Sequence, residues 1–344
     1  MNKPNKVKIS LQGLSKVFGN KAQAMLPYLE QGIDRATMLA KHNHVLALNN
    51  ITMDLHENSI EVIMGLSGSG KSTLIRHINR LIEPTAGKII VDNEDVCLFN
   101  KRALRDYRSE KTAMVFQNFA LLPHRNIIDN IAFGLKVQGK KEASIIELSN
   151  YWLARVGLEG FANKYPAQLS GGMQQRVGLA RALACDADIL MLDEAFSALD
   201  PLIRVDMQDM LLALQQELNK TIVFITHDLD EALKLGDRIA ILNQGQLIQQ
   251  GNAESILMRP ANDYVQKFAA DVSRVNILKA KAVMQATIPN TTTQNVIHVG
   301  EDDTIKSVLY EFLCADAQYA LVLATDGKVI GSIDADKLAQ IVNQ

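Results

Sequence analysis

Gly65-Leu66-Ser67-Gly68-Ser69-Gly70-Lys71-Ser72 is the stretch on which the reading of this chain turns. It fits G-x-x-x-x-G-K-[S/T], follows the apolar strand candidate Ile60–Met64, and opens an amphipathic helix expected over about 71–81. Glycines at these positions let consecutive backbone N–H groups turn toward one anion, and the helix N-terminus adds partial positive charge beneath it. The loop, with Thr73 after it, therefore reads as a cradle for a nucleotide polyphosphate. Lys71 is expected to reach the β and γ phosphates, and the Ser72 hydroxyl to ligate Mg²⁺. A chance glycine-rich turn would lack the flanking strand and helix.

Two further stretches carry chemistry. Ile189-Leu190-Met191-Leu192-Asp193-Glu194 is an apolar strand ending in two carboxylates, at the edge of a parallel sheet where ligands gather. Alone, adjacent acids at a strand end read as a solvated turn. Beside a phosphate loop, Asp193 suits the Mg²⁺ shell and Glu194 the general base for water. Leu169-Ser170-Gly171-Gly172-Met173-Gln174-Gln175-Arg176 opens a helix running to about Ala184, so Ser170, Gly171 and Gly172 present backbone donors at a second helix N-terminus.

The rest of the chain gives these motifs a frame. At 344 residues the prior is about two domains. Lys plus Arg (36) nearly balance Asp plus Glu (38), and a formal charge of −2 gives no general attraction to nucleic acid. No apolar run approaches the ~18 residues of a spanning helix, and the start, Met1-Asn2-Lys3-Pro4-Asn5-Lys6, does not read as a secretory signal, so a cytoplasmic setting is expected. Cys97, Cys185 and Cys314 lack metal-ligand spacing and read as small buried hydrophobes.

From Val45 to about Leu247, β-branched runs alternate with helical patterns, which predicts an α/β domain around a largely parallel sheet. Strands are expected at Ile60–Met64, 88–91, 113–116, 189–192, 221–225 and 239–242. A helical lobe is expected within about 118–182, and 19–44 also looks helical, with no chemistry assignable from its residue types. Two positions before the loop stand out: Asn58 at a turn, where Asn tolerates positive φ, and Glu61 inside an apolar strand, for which the sequence offers no reason. The basic run Lys101-Arg102-Ala103-Leu104-Arg105-Asp106-Tyr107-Arg108 reads as a solvated helix face. The polar stretch Thr291-Thr292-Thr293-Gln294-Asn295 suits a loop, and beyond about Val275 a small domain is expected in the order helix, strand, turn at Asp326-Gly327, strand, helix.

With the loop, LSGGM and the acidic strand end in this order, the chain resembles the nucleotide-binding subunits of ATP-binding cassette (ABC) transporters over about residues 8–270. The expected fold is thus a P-loop NTPase cassette with an inserted helical subdomain, domain 1–272, followed by a small α+β domain, 275–344. The resemblance implies that ATP and Mg²⁺ bind, and that the signature of one copy closes over the loop of another in a homodimer. It implies that Gln117 touches Mg²⁺ and relays to a membrane subunit, that Ala198-Leu199-Asp200 is the D-loop with Asp200 among the nucleotide-binding residues, and that His227 holds the γ-phosphate. It also implies that Phe18 stacks on adenine in place of the usual Tyr, and Met173 stands where the family has Gln. Asp200 before Pro201 additionally reads as a helix N-cap.

Longer phrases, Asn79-Arg80-Leu81-Ile82-Glu83-Pro84-Thr85 and Glu194-Ala195-Phe196-Ser197 among them, and the 19–44 insertion, are similar to the glycine betaine/proline betaine importer branch. This implies peripheral attachment at the cytoplasmic face of the inner membrane, integral permease subunits, and a periplasmic or lipid-anchored solute-binding protein as indirect partner. Betaine, choline or carnitine import is expected; a histidine importer and a soluble non-transport ABC ATPase are the alternatives. Residues about 278–344 are similar to one cystathionine-β-synthase (CBS) motif, with Asp334 where the adenylate-binding hydroxyl falls, so dimer stabilisation or ionic-strength sensing is favoured over nucleotide binding by that tail.

Overall fold

A computed structural model describes residues 6–197, 199–270, 275, 277–286 and 295–342. The chain divides into two compact units, Met1–Gln250 and Gly251–Gln344. The strands in order are β1 (Val7–Phe18), β2 (Val45–His56), β3 (Ile60–Met64), β4 (Ala86–Val91), β5 (Glu94–Asp95), β6 (Thr112–Val115), β7 (Ile189–Asp193), β8 (Thr221–Thr226), β9 (Arg238–Asn243) and β10 (Gln246–Gly251). The second unit adds β11 (Val296–Gly300), β12 (Tyr319–Leu323) and β13 (Val329–Asp334).

The first unit holds two sheets. One has the order β10-β9-β3-β8-β7-β6, in which β9, β3, β8, β7 and β6 run parallel. Its strands β3, β8 and β7 are buried along their whole length, as strands covered on both faces must be, which is why they read as apolar runs. The other sheet, β2-β1-β4-β5, is antiparallel. The expected strand at 88–91 belongs to this second sheet and not to the parallel one. β1 and β2, which the sequence left unmarked, are its longest members. Register shifts between Leu11 and Leu14 and between Lys16 and Val17 break the two-residue period by which a strand is recognised.

One buried cluster joins both sheets through the helix Lys71–Ile78: Leu48, Ile51 and Leu55 of β2, Leu74, Ile75 and Ile78 of the helix, and Ile189, Met191, Val223 and Ile225 of the parallel sheet. That helix ends three residues short of the expected stop, where Arg80 turns to a φ of 52°. The lobe consists of helices Ile127–Val137, Glu142–Arg155 and Gly171–Ala184 packed on one another. Residues 19–44 are helical as expected, with a 3₁₀ turn Ala22–Met25 and helices Leu26–Glu30 and Arg35–His42.

Glu61 now has its reason. Its carboxylate, 2% exposed, accepts from the His56 backbone N–H (2.8 Å) and lies 2.8 Å from His56 Nδ1, 3.4 Å from Ser59 Oγ and 3.9 Å from Arg238 Nε. A buried carboxyl is tolerated there because each of its oxygens faces polar groups. Asn58 does hold a left-handed turn, at φ 59°. Arg102 and Arg105 are solvated as expected, but Arg108 turns inward and donates to the Asn79 carbonyl at 2.9 Å. Cys97 and Cys185 are half-buried. Cys314 is exposed, contrary to the buried reading, because it ends the helix Ile305–Cys314 off the stripe formed by Ile305, Val308 and Phe312.

In the second unit, β11 pairs parallel with β12, and β12 pairs antiparallel with β13 across a turn where Gly327 has φ 81°. The helix before β12 and the helix Ala335–Val342 complete the expected order. Asp334 Oδ1 accepts from the Lys337 N–H at 2.7 Å, as the start of a helix demands. Residues 291–294 of the expected polar loop lie outside the described residues.

Candidate functional site

Four neighbouring strands, β3, β8, β7 and β6, deliver the motifs from the same end of the parallel sheet. The phosphate loop follows β3, His227 follows β8, Asp193 and Glu194 end β7, and Gln117 lies two residues past β6. Parallel pairing makes this convergence automatic, since all carboxyl ends fall on one edge.

Within the loop, Gly65, Gly68 and Gly70 have φ of 152°, 77° and 106°. A Cβ on Gly65 would stand 2.2 Å from the Leu242 carbonyl oxygen, so only glycine passes there, whereas Gly68 meets open space. Leu66, Ser67 and Gly68 are exposed at the tip and Ser69 is buried. Lys71 is 4% exposed, and its ammonium donates to the carbonyls of Gly65 (2.8 Å) and Leu66 (3.3 Å). Ser72 Oγ donates to Asp193 Oδ1 at 2.7 Å, and Arg76, unmarked by the sequence, reaches Asp193 Oδ2 at 3.3 Å. A hydroxyl and a carboxylate side by side are hard oxygen donors of the kind Mg²⁺ takes. Among the described residues no cluster of three or more His, Cys, Asp or Glu could hold a metal, so phosphates and water would have to supply the remaining ligands, as Mg²⁺ prefers.

Glu194 is the hub. Its carboxylate lies 3.4 Å from Lys71 Nζ, accepts from Gln117 Nε2 at 3.2 Å, and lies 3.9 Å from His227 Nδ1. Its backbone sits at φ 48°, an uncommon conformation for a residue with a Cβ, held by a bond from its N–H to the Ile225 carbonyl and by Ser197 Oγ on its own carbonyl.

Ser170, Gly171 and Gly172 stand apart from this cluster. Ser170 Oγ accepts from the Met173 N–H at 3.3 Å and caps its own helix, and a Cβ on Gly172 would fall 2.7 Å from Ile203 Cγ2. Asp200 caps the helix Pro201–Leu218 through the Ile203 N–H at 3.1 Å, as its sequence position before proline indicated. Ala198 lies outside the described residues. Phe18 ends β1 and is 40% exposed, with Lys16 Nζ 5.0 Å from its ring centroid. It is therefore no core residue, and its ring is available for stacking.

Three supporting residues escaped the sequence reading. Arg181 donates to the carbonyls of Phe119 (2.8 Å) and Ala120 (2.7 Å), whose left-handed backbones (φ 61° and 47°) follow Gln117. Burial lowers the pKa of Arg181. Arg204 donates to the Leu199 carbonyl at 3.1 Å and lies 3.7 Å from Asp228 beside His227, linking the turn before Asp200 to the His227 turn. Glu231, pushed upward by burial, accepts from Gln208 at 3.1 Å beneath that turn. The only sequence signal for them is helical spacing from a motif residue, which any charged surface position shares.

The ABC transporter family model matches residues 48–197. The chain is 44% identical over 338 residues to the glycine betaine/proline betaine transport system ATP-binding protein ProV of Escherichia coli (strain K12), covering 98% of this chain and 83% of that protein. It is 50% identical over 279 residues to the glycine betaine transport ATP-binding protein OpuAA of Bacillus subtilis, covering 81% and 67%. Among solved structures it is similar to an ATP-binding cassette determined as a dimer in a post-hydrolysis state with ADP and Pi, with a TM-score of 0.61 and 30% identity over 71% of this chain and 98% of that one.

Proposed function

This chain belongs to the family of ABC transporter ATP-binding proteins, and from that premise we propose that it hydrolyses ATP to energise import of a quaternary amine osmolyte of the glycine betaine class. The observation that carries the chemistry is the convergence of Lys71, Gln117 and His227 on Glu194 at the mouth of the phosphate loop. The solute class is supported by the likeness to ProV and OpuAA.

In this reading residues 65–73 wrap the triphosphate with backbone N–H groups, Lys71 binds the β and γ phosphates, and the ring of Phe18 stacks on adenine. Ser72, Asp193 and Gln117 would hold Mg²⁺, which when bound neutralises charge on the phosphates. Glu194 orients the attacking water and accepts its proton, and His227 contacts the γ-phosphate. Removing such a base typically costs ~10²–10⁴-fold in rate.

Ser170 caps its own helix and stands apart from the phosphate loop; in this reading a second copy brings Ser170, Gly171, Gly172 and Asp200 to the far side of the nucleotide, which the likeness to a cassette determined as a dimer supports. A symmetric homodimer then holds two equivalent sites. Among the described residues no helix is long and apolar enough to cross a membrane. In this reading, supported by the likeness to importer ATP-binding subunits, the assembly includes integral permease subunits, with the cassettes at the cytoplasmic face and a solute-binding protein acting on the far side, and no nucleic acid as partner. Residues 1–272 form the cassette in this proposal and 275–344 a CBS-like regulatory tail, whose Asp334 is committed to capping a helix and disfavours a phosphate.

Purification in detergent followed by reconstitution tests this function. A multi-span membrane protein should copurify, and vesicles should take up labelled glycine betaine only with ATP inside the compartment that holds the cassette. Full ATP hydrolysis with no membrane partner, and no ATP-driven uptake of betaine, choline or carnitine, would overturn it.

A further inference from the structure

The 19–44 insertion, to which neither the sequence nor the cassette chemistry gives a role, reaches the phosphate loop. It leaves and re-enters the sheet at one point, since Phe18 and Val45 are register partners. Its neck is closed by His44, whose ring nitrogens lie 2.7 Å from the Asn20 carbonyl and 2.6 Å from the His42 carbonyl, and a Cβ on Gly19 would fall 2.3 Å from that ring. Met38, fully buried with Val17 and Leu46, fastens the insertion to β1 and β2, and Met25, Leu29 and Ile33 pack against that group. The insertion is therefore an anchored bracket and not a loose loop.

One side chain of this bracket touches the site. Asp34 caps the helix Arg35–His42 through the Thr37 N–H (2.8 Å) and hydroxyl (2.6 Å), which places Arg35 at the first helical position. From there Arg35 Nη1 donates to the Gly68 carbonyl at 3.0 Å. Gly68 is exposed at the loop tip, in a left-handed conformation, with nothing within 4 Å of where a Cβ would stand. The Ser69 N–H donates to the Leu66 carbonyl at 3.1 Å. A peptide unit is planar, so the Gly68 carbonyl and the Ser69 N–H turn together. Hydrogen bonds at both of its ends fix that plane.

We propose that Arg35 is a positioning residue for the triphosphate, holding the tip of the phosphate loop in its binding shape from outside and placing a guanidinium charge beside the incoming anion. This rests on the ATP-site reading above. A loop already ordered loses less conformational freedom on closing around phosphate, and a nearby cation favours anion arrival. The insertion would then tune nucleotide affinity without touching the reacting atoms.

Steady-state ATP hydrolysis by the full chain tests this with Arg35→Ala and Arg35→Lys, alongside urea unfolding of each. Arg35→Ala should raise the KM for ATP about fivefold, the loss of one exposed charge-assisted hydrogen bond worth ~1 kcal/mol, while kcat changes far less. Arg35→Lys, which keeps a cationic donor, should recover most of the KM. An unchanged KM in Arg35→Ala overturns the proposal whether or not the urea midpoint moves, and so does a loss confined to kcat. A parent chain that fails to bind or hydrolyse ATP would instead overturn the reading of the site itself.

Discussion

Lys71 Nζ and Glu194 Oε1 lie 3.4 Å apart, so the cation that the loop would offer to phosphate is paired with the carboxylate that would activate water. Both groups are largely shielded from solvent, and each has other partners: two loop carbonyls for Lys71, Gln117 and His227 for Glu194. In the proposed reading a γ-phosphate arriving at Lys71 would compete with Glu194 for that ammonium, which would couple nucleotide binding to release of the carboxylate.

Glu194→Gln removes both the proposed base and the competing carboxylate. Hydrolysis should fall by ~10²–10⁴-fold, while ATP should bind more tightly and hold two chains together. Single-turnover assays and light scattering with ATP read the two effects. Near-parental hydrolysis would remove Glu194 from its proposed role.

Lys71→Ala should act in the opposite sense on binding. It deletes a buried ammonium whose charge-assisted hydrogen bonds are worth about 1.5–3 kcal/mol each, so nucleotide affinity should drop at least about tenfold. Titration calorimetry with ADP measures it without turnover.

Glu61→Leu probes the far edge of the same sheet. It leaves the His56 N–H without its acceptor and removes the carboxylate 3.9 Å from the partly exposed Arg238 Nε, and a shielded donor left unsatisfied costs about 1–3 kcal/mol. The urea midpoint should fall sharply, with a smaller drop for Glu61→Gln. ADP affinity of the folded protein should be unchanged, because Glu61 sits at the end of β3 away from the loop.

Acid should destabilise the cassette partly through His77. This residue is fully buried, its Nδ1 is 2.6 Å from the Thr73 carbonyl, and burial pushes its pKa down to about 4. A histidine that titrates near 6.5 when unfolded binds its proton preferentially in the unfolded chain, so the stability it contributes is present above about pH 6.5 and lost as pH falls toward 4. The span corresponds to about 3 kcal/mol at most. Urea midpoints from pH 7 to pH 4 should fall less steeply in His77→Leu than in the parent.

Much of the site was legible in the sequence because its residues are punctuation. The glycines before Lys71, the carboxylates that end an apolar run at Asp193 and Glu194, and the Ser170 cap each violate a local pattern in a way only backbone geometry explains. Their fold-level consequence, one shared edge, follows from parallel pairing of buried strands. What stayed hidden depends on tertiary contact. β1 and β2 carry bulges that blur their period, and Glu61 looks misplaced until His56 and Arg238 are beside it. Arg35, Arg181 and Arg204 each act by donating to a backbone carbonyl, a partner that leaves no trace in side-chain spacing.

The central claim is that each ATP is shared between the loop of one copy and the signature of another. Mixing two inactive variants tests it most directly. Ser170→Arg blocks the signature but leaves the loop intact, and Lys71→Ala does the reverse, so neither homodimer has a complete site. In a mixed dimer the loop of the first faces the signature of the second, and ATPase activity should return on mixing. Full activity of Ser170→Arg alone, or no recovery when folded variants are mixed, would contradict the account.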